Sequence, residues 1–281
     1  AGDGFPAKSI HMSRIQLRLV AVISTAVALL LSPVDASAAD KEKKPAAKKT
    51  PKKKKKPIPP PVVFANPTPD FKPAPGFTAL FNGKDLDGWD GQPKCWEVRN
   101  GVINCTGVAK ARNWLIYRGK DFENFELRLK FIWAHGNSGV QVRSKDIGDW
   151  QVRGYQVEVS ETKGMGLWHH SLTSGDPKTK KRSHLAVAGQ KVSIAKDGQK
   201  DVKQVADADK VKTAYKEKEW NDLTVICRGP RLIQKINGVV FSDLKDVQAD
   251  FSSLSGVIAL QDHGKGANVA FTDIQIKELR K

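Results

Sequence analysis

Glu158 and the adjacent pair His169-His170 are the residues of this 281-residue chain best spaced to do chemistry. They close two short segments, Gly154-Tyr155-Gln156-Val157-Glu158-Val159 and Gly166-Leu167-Trp168-His169-His170. In an extended strand alternate side chains share a face. Tyr155, Val157 and Val159 then take one face, suited to a core, and Gln156 and Glu158 take the other. A carboxylate held in a water-poor groove has its pKa raised toward neutrality and becomes a candidate general base. Neighbouring strand residues point opposite ways, so at most one of His169 and His170 can enter that groove. His170 has the phase of Trp168, which pairs an acid/base group with an aromatic platform. This layout suits acid/base chemistry or sugar binding. The plainer alternatives are a solvated Glu158 paired with Arg143 or Arg153, and a surface histidine at a loop edge.

Other polar residues fall near the same face by phase. Arg143 lies two residues past Gln141, opposite in phase to Val140 and Val142. Its guanidinium could hold a substrate oxygen or grip Glu158 through two hydrogen bonds; an ordinary cross-strand ion pair is the alternative. Gln261 and His263 share a phase that excludes Ile258 and Leu260, so both could line a groove, though His263 could equally bond to a loop. Asn137 sits in the glycine-bearing turn Gly136-Asn137-Ser138-Gly139, where it either caps the turn or touches a ligand. Gln156, Trp168, His169, Gln261, His263 and Asn137 thus form the candidate binding set around Glu158, His170 and Arg143. Of the seven tryptophans, Trp96 and Trp133 lie on apolar phases, whereas Trp89, Trp150 and Trp168 are the better stacking platforms. No His-x-x-x-His or Cys-x-x-Cys spacing marks a metal site, so no cofactor is expected; a divalent cation held by a Glu/His/His set is the weaker alternative.

These residues need a scaffold, and the sequence points to strands. Phe125, Leu127, Leu129, Phe131 and Trp133 alternate with Glu126, Arg128 and Lys130, a period of two. Asn100-Gly101 and Asn237-Gly238 each separate two apolar runs and predict hairpins with two-residue turns. Between Val269-Phe271 and Ile274-Ile276 the apolar phase slips, which predicts a bulge at Thr272-Asp273. The only helix expected is a short one over 207–215, capped by Asp207. A polar, basic excursion runs over 173–188. Many short strands with Gly and Asn turns imply an all-β, two-sheet sandwich of jelly-roll type over residues 73–281.

The remainder of the chain reads differently. Residues 1–11 precede Met12 and are set aside as an extension of doubtful origin. Residues 12–38 read as a secretory signal, with Arg14 and Arg18, an apolar centre over 19–31 and Ala36-Ser37-Ala38 as a small-x-small cleavage site. Thirteen apolar residues are short for a bilayer span, so no transmembrane segment is expected after cleavage. Residues 39–72 form a Lys/Pro-rich linker with five consecutive lysines over 52–56, too self-repelling and too polar to pack. Residues 1–72 hold 14 Lys and Arg against 5 Asp and Glu, so about half of the net +17 lies there. This basic run could hold an anionic envelope surface, or act as a solvated spacer. No aromatic residue interrupts the lysines, which speaks against single-stranded nucleic acid, and no specific nucleic-acid partner is expected. The three cysteines, Cys95, Cys105 and Cys227, are given no structural disulfide, because the Asn100-Gly101 hairpin puts Cys95 and Cys105 out of phase.

Several blocks resemble the 3-keto-disaccharide hydrolase family. They run from Gly76-Phe77-Thr78-Ala79-Leu80-Phe81-Asn82-Gly83-Lys84-Asp85-Leu86-Asp87-Gly88-Trp89 through Gly136-Asn137-Ser138-Gly139-Val140 with Arg143 and Gly154-Tyr155-Gln156 with an acid at 158. They continue with Gly256-Val257-Ile258-Ala259-Leu260-Gln261-Asp262-His263 and close on Phe271-Thr272-Asp273-Ile274-Gln275-Ile276. The resemblance implies a concanavalin-A-like jelly roll, an exported bacterial protein (periplasmic, cell-envelope or extracellular), and glycosides oxidised to a ketone at C3 as substrates. Such a ketone acidifies the C2 hydrogen; an enolate then expels the C1 substituent, and water adds to the double bond. The expected function is therefore net hydrolysis of 3-keto-glycosides, or lyase action if hydration does not follow. The alternative is a non-catalytic, lectin-like module of the cell envelope.

Overall fold

The computed structural model describes residues 60–170 and 184–280. The expected extension at 1–11, the signal segment at 12–38, most of the Lys-rich linker and much of the 173–188 excursion lie outside the described residues. In chain order the strands are β1 (Thr78–Ala79), β2 (Trp89–Asp90), β3 (Trp96–Arg99), β4 (Val102–Cys105), β5 (Asn113–Tyr117) and β6 (Phe125–His135). Next come β7 (Ser138–Asp146), β8 (Val152–Val159), β9 (Gly166–His170), β10 (His184–Ala186), β11 (Gln190–Ile194) and β12 (Lys200–Gln204). The last five are β13 (Asn221–Arg228), β14 (Arg231–Ile236), β15 (Val239–Asp246), β16 (Val257–Asp262) and β17 (Asn268–Glu278).

Two sheets result, and they pack as a β-sandwich of the jelly-roll kind. The first has the order β12-β11-β15-β14-β13-β6-β17-β4-β3, with β1 added on β17; the second has the order β10-β9-β8-β7-β16-β5-β2. Non-sequential neighbours such as β6 beside β17 and β7 beside β16 tie distant chain segments together. Alternation puts Phe125, Leu127, Leu129 and Phe131 of β6 into the same core as Val140, Val142, Tyr155, Val157 and Leu260 of the second sheet. Burial of these side chains, at about 1.5–3 kcal/mol each, is what holds the two layers together.

The turn and bulge signals are realised. Asn100-Gly101 and Asn237-Gly238 both have positive φ at the two central residues, and the hairpins register as Arg99 with Val102 and Ile236 with Val239. The register of β17 against β6 slips between Thr272 and Gln275, with Asp273 at φ 54°. The helix α1 spans Ala208–Lys212, and the Asp207 carboxylate accepts from the backbone N–H groups of Asp209 and Lys210. Cys95, Cys105 and Cys227 are buried free thiols.

The packed body begins ahead of residue 73. Phe64 is buried against Val102, Ile132 and Ala270 on the outer face of the first sheet, and meets Trp220 edge to face. The strap is fixed by Val62 N donating to Asn268 Oδ1 at 2.9 Å and by Trp220 Nε1 donating to Ala65 O at 3.1 Å.

Candidate functional site

The face of the second sheet turned away from the core carries the polar residues. Strand β8 pairs with β9 so that Gln156 stands opposite Trp168, and Gly154 opposite His170. Glu158, Gln156, Trp168 and His170 therefore share this outer face, as their phases require. His169 goes the other way. It is buried against Tyr155 and Phe251, with its Nε2 3.2 Å from the Phe251 carbonyl. The expectation that His169 binds substrate is thus corrected: alternation commits it to the interior side.

Glu158 lies at the floor of a cleft of about 440 Å³, walled by Trp133, Trp168 and His184 and edged by Asn137 and Ser160. Its carboxylate accepts from Asn137 Nδ2 and, at 2.7 Å, from Gln156 Nε2. Burial pushes its pKa up, and the two amide hydrogen bonds pull part of the way back. The Trp168 and His184 rings meet edge to face at 4.4 Å across the pair β9–β10. Trp133 donates Nε1 to Gly136 O at 3.0 Å, which fixes the wall formed by the β6–β7 turn. On the far rim, the loop after Ser160 is pinned from the first sheet's side: Tyr215 donates its hydroxyl to Ser160 O at 2.9 Å, and Glu217 accepts from Thr162 N and Oγ1.

Beside the cleft, Gln156, Gln141, Gln261 and His170 form one connected network. Gln141 Nε2 donates to Gln156 Oε1 at 2.9 Å, and Gln156 Nε2 reaches Gln261 Oε1 at 3.1 Å. Gln261 Nε2 lies 3.3 Å from His170 Nε2. All three glutamines are fully buried. Gly139 makes room for them, since a Cβ there would fall 2.4 Å from Gln156 Cδ. His170 rests edge-on against the buried Trp114 ring at 5.3 Å. Burial first, then the charges of Arg112, His263 and His169, drive its pKa down to about 3, so the ring is neutral. His263 is depressed by burial and by Arg112, and belongs to the same neighbourhood.

Arg143 is not on this face. It sits in a bulge where the register of β7 against β8 shifts between Val142 and Lys145, and its φ is 48°. The bulge reverses the expected phase. The guanidinium is fully buried near Cys227 and Tyr155, and donates to the Glu123 carbonyl at 2.8 and 2.6 Å and to the Gly229 carbonyl at 2.6 Å. It touches neither Glu158 nor the cleft, so the expected grip on a substrate oxygen or on Glu158 is corrected to a clasp on two loops. Trp89 and Trp150 are likewise committed elsewhere, donating their indole N–H groups to Leu80 O and Asp90 Oδ1.

His184, Trp133, Ser160 and Trp114 complete the site without having been singled out for it. Trp133 packs against the core, as its phase predicts, and at the strand end, where the face opens, it also walls the cleft. Trp114 is hidden in the uniformly apolar run Trp114-Leu115-Ile116-Tyr117, which gives no phase. For a divalent cation the fit is poor: among the described residues, no three His, Cys, Asp or Glu side chains converge on one point.

Among solved structures, two provisionally assigned glycosyl hydrolases of Parabacteroides distasonis resemble the chain. Each is 21% identical; the first covers 72% of this chain and 99% of its own at a TM-score of 0.48, the second 73% and 94% at 0.47. The carbohydrate-binding module CBM66 of Bacillus subtilis is 12% identical and covers 68% of this chain and 96% of its own, at a TM-score of 0.44. A comparison with curated proteins gave no match. The family model of the 3-keto-alpha-glucoside-1,2-lyase-like domain matches residues 76–277. With most of the sandwich inside that match, the chain belongs to the 3-keto-alpha-glucoside-1,2-lyase-like domain family.

Proposed function

We propose that this protein cleaves glycosides carrying a ketone at C3, with Glu158 as the base that removes the C2 proton. The observation that carries this reading is the placement of Glu158: a nearly buried carboxylate with a raised pKa at the floor of a cleft walled by two tryptophans and a histidine. The C2–H bond breaks and its proton passes to Glu158, while the electron pair is held as the enolate of the C3 ketone. Collapse of the enolate breaks the C1–O bond, and the departing oxygen takes a proton. His184, on the wall of the same cleft, is the group placed to supply it. Water then adds across the C1–C2 double bond, restoring a sugar and completing a net hydrolysis. Trp133 and Trp168 present apolar ring faces on which a pyranose can stack, and Asn137 keeps the carboxylate oriented.

Activity is tested by offering the purified protein a 3-keto-glucoside and its unoxidised parent. Release of the aglycone from the keto form alone supports the proposal; equal release from both, or from neither, sinks it. A second reading, a carbohydrate-binding module without catalysis, is favoured by the neutral amides and aromatic walls of the same face. It predicts calorimetric binding of unoxidised sugars with no release. Export is proposed on the signal-like residues 12–38, and N-terminal sequencing of protein secreted or translocated by a producing cell tests it, with cleavage after Ala38 as the expected result.

A further inference from the structure

The donor order of the buried amides beneath Glu158 can be deduced from one end. An ionised carboxylate only accepts hydrogen bonds, so the group that Gln156 turns toward Glu158 Oε2 must be its NH2. The same NH2 faces Gln261 at 3.1 Å and therefore requires the Gln261 carbonyl oxygen there. The Gln261 NH2 is then left facing His170 Nε2 at 3.3 Å, and that nitrogen must be bare to accept it. Reversing Gln261 would set two NH2 groups face to face; reversing Gln156 would set its carbonyl against a carboxylate. The other branch agrees, since Gln156 Oε1 accepts from Gln141 Nε2 and Gln141 Oε1 accepts from the Ser144 hydroxyl at 2.5 Å. Gly139 is the floor on which Gln156 crosses toward β16, and any side chain there would displace it.

We infer that Gln156 and Gln261 are positioning residues that relay the negative charge of Glu158 to His170, holding the imidazole neutral with its one proton on Nδ1. The inference rests on the reading of Glu158 as the working, ionised carboxylate. It separates two roles. Glu158 accepts protons, while His170, with Nε2 occupied by the Gln261 amide, keeps a single N–H donor on Nδ1. The groups facing the ring fit this state: burial and the charge of Arg112 oppose a second proton, and the Trp114 indole covers the ring from one side.

The test is nitrogen NMR of the full-length protein labelled at histidine, with His170 assigned from its loss in His170→Ala. Wild-type protein at neutral pH is expected to show a protonated Nδ1 and a bare Nε2 at His170. Gln261→Glu, close in shape, replaces the donor with an acceptor and is expected to move the proton to Nε2. Gly139→Ala, which displaces Gln156 without touching His170, is expected to give a mixture of the two tautomers. A protonated Nε2 in the wild type overturns the inference, as does an Nδ1 proton that stays put in Gln261→Glu. If the wild type shows no cleavage of 3-keto-glucosides, the proposed activity fails while the tautomer result still stands or falls by itself. Where cleavage is measured, Gln261→Leu is expected to lower kcat at least about tenfold with KM changed by less than about twofold, as loss of orientation rather than of binding.

Discussion

In the proposed reaction Glu158 concentrates the chemistry, and its surroundings give it a pH signature. Burial raises the pKa of its acid form, and the hydrogen bonds from Asn137 and Gln156 offset part of that rise. The working base is the deprotonated form, so kcat/KM for a 3-keto-glucoside is expected to fall as the pH drops through that raised pKa and to level off above it. Glu158→Gln keeps the shape and removes the base; a loss of about 10²–10⁴-fold in kcat is expected, with circular dichroism and melting nearly unchanged. Retention of full rate in this variant would reassign the base. Arg143 makes the contrasting case. Arg143→Ala leaves two loop carbonyls without their charged donor, and chemical denaturation should show a loss of about 2–4 kcal/mol, while the rate per folded molecule stays near wild type. The roles of these two residues were unequally legible. The alternation in 154–159 placed Glu158 on the outer face without ambiguity. For Arg143 the same rule misled, because a positive φ in the bulge at residue 143 turns the side chain into the core, and alternation holds only while the strand stays regular.

At the scale of elements, the site depends on two close approaches between neighbouring strands. The bulge of β7 lies between Gly154 and Gly256, where added Cβ atoms would fall 2.7 Å from Ser144 Cα and 2.5 Å from Ser144 O. On the same strand, Gly139 leaves space for the Gln156 amide between Glu158 and Gln261. Gly139→Ala is therefore expected to cost cleavage activity at least about tenfold by moving Gln156 and freeing Glu158, an effect of about 1 Å on a positioning group. Steady-state kinetics beside the melting curve will separate this from simple unfolding. Hairpins, the β17 bulge and the capped helix were readable because each is written in local residues: Asn-Gly pairs, a slipped apolar phase, an Asp before a polar helix. Trp114 and His184 were not. The first sits in an apolar run with no polar residue to mark its phase, and the second follows a long polar stretch whose return to the sheet no local signal fixes. Which strands become neighbours, such as β16 between β7 and β5, is a matter of long-range packing that the residues in either strand do not encode alone.

For the molecule as a whole, stability carries its own dependence on pH through Asp262. This carboxylate is fully buried at the end of β16, opposite Asn113 of β5, and one oxygen accepts from Gly264 N at 2.7 Å. Burial raises its pKa to about 6, while Gly264 and Asn113 offset part of the shift. A raised acid binds its proton more readily folded than unfolded, so its contribution to stability is most favourable at low pH and is lost as the pH rises through about 6. The shift corresponds to about 3 kcal/mol. Asp262→Asn is expected to gain on the wild type by about that amount between pH 4 and pH 7, read from denaturation curves at both values. A difference independent of pH would mean that Asp262 does not titrate in this window. His170, neutral when folded, pulls the opposite way as the pH falls below about 6.5, and both proteins share that slope.

The strap at residues 62–65 lies on the outer face of the first sheet, whereas Glu158 opens on the outer face of the second. The chain is thus fastened at residues 62–65 to the back of the sandwich. The mouth of the cleft faces away from that fastening.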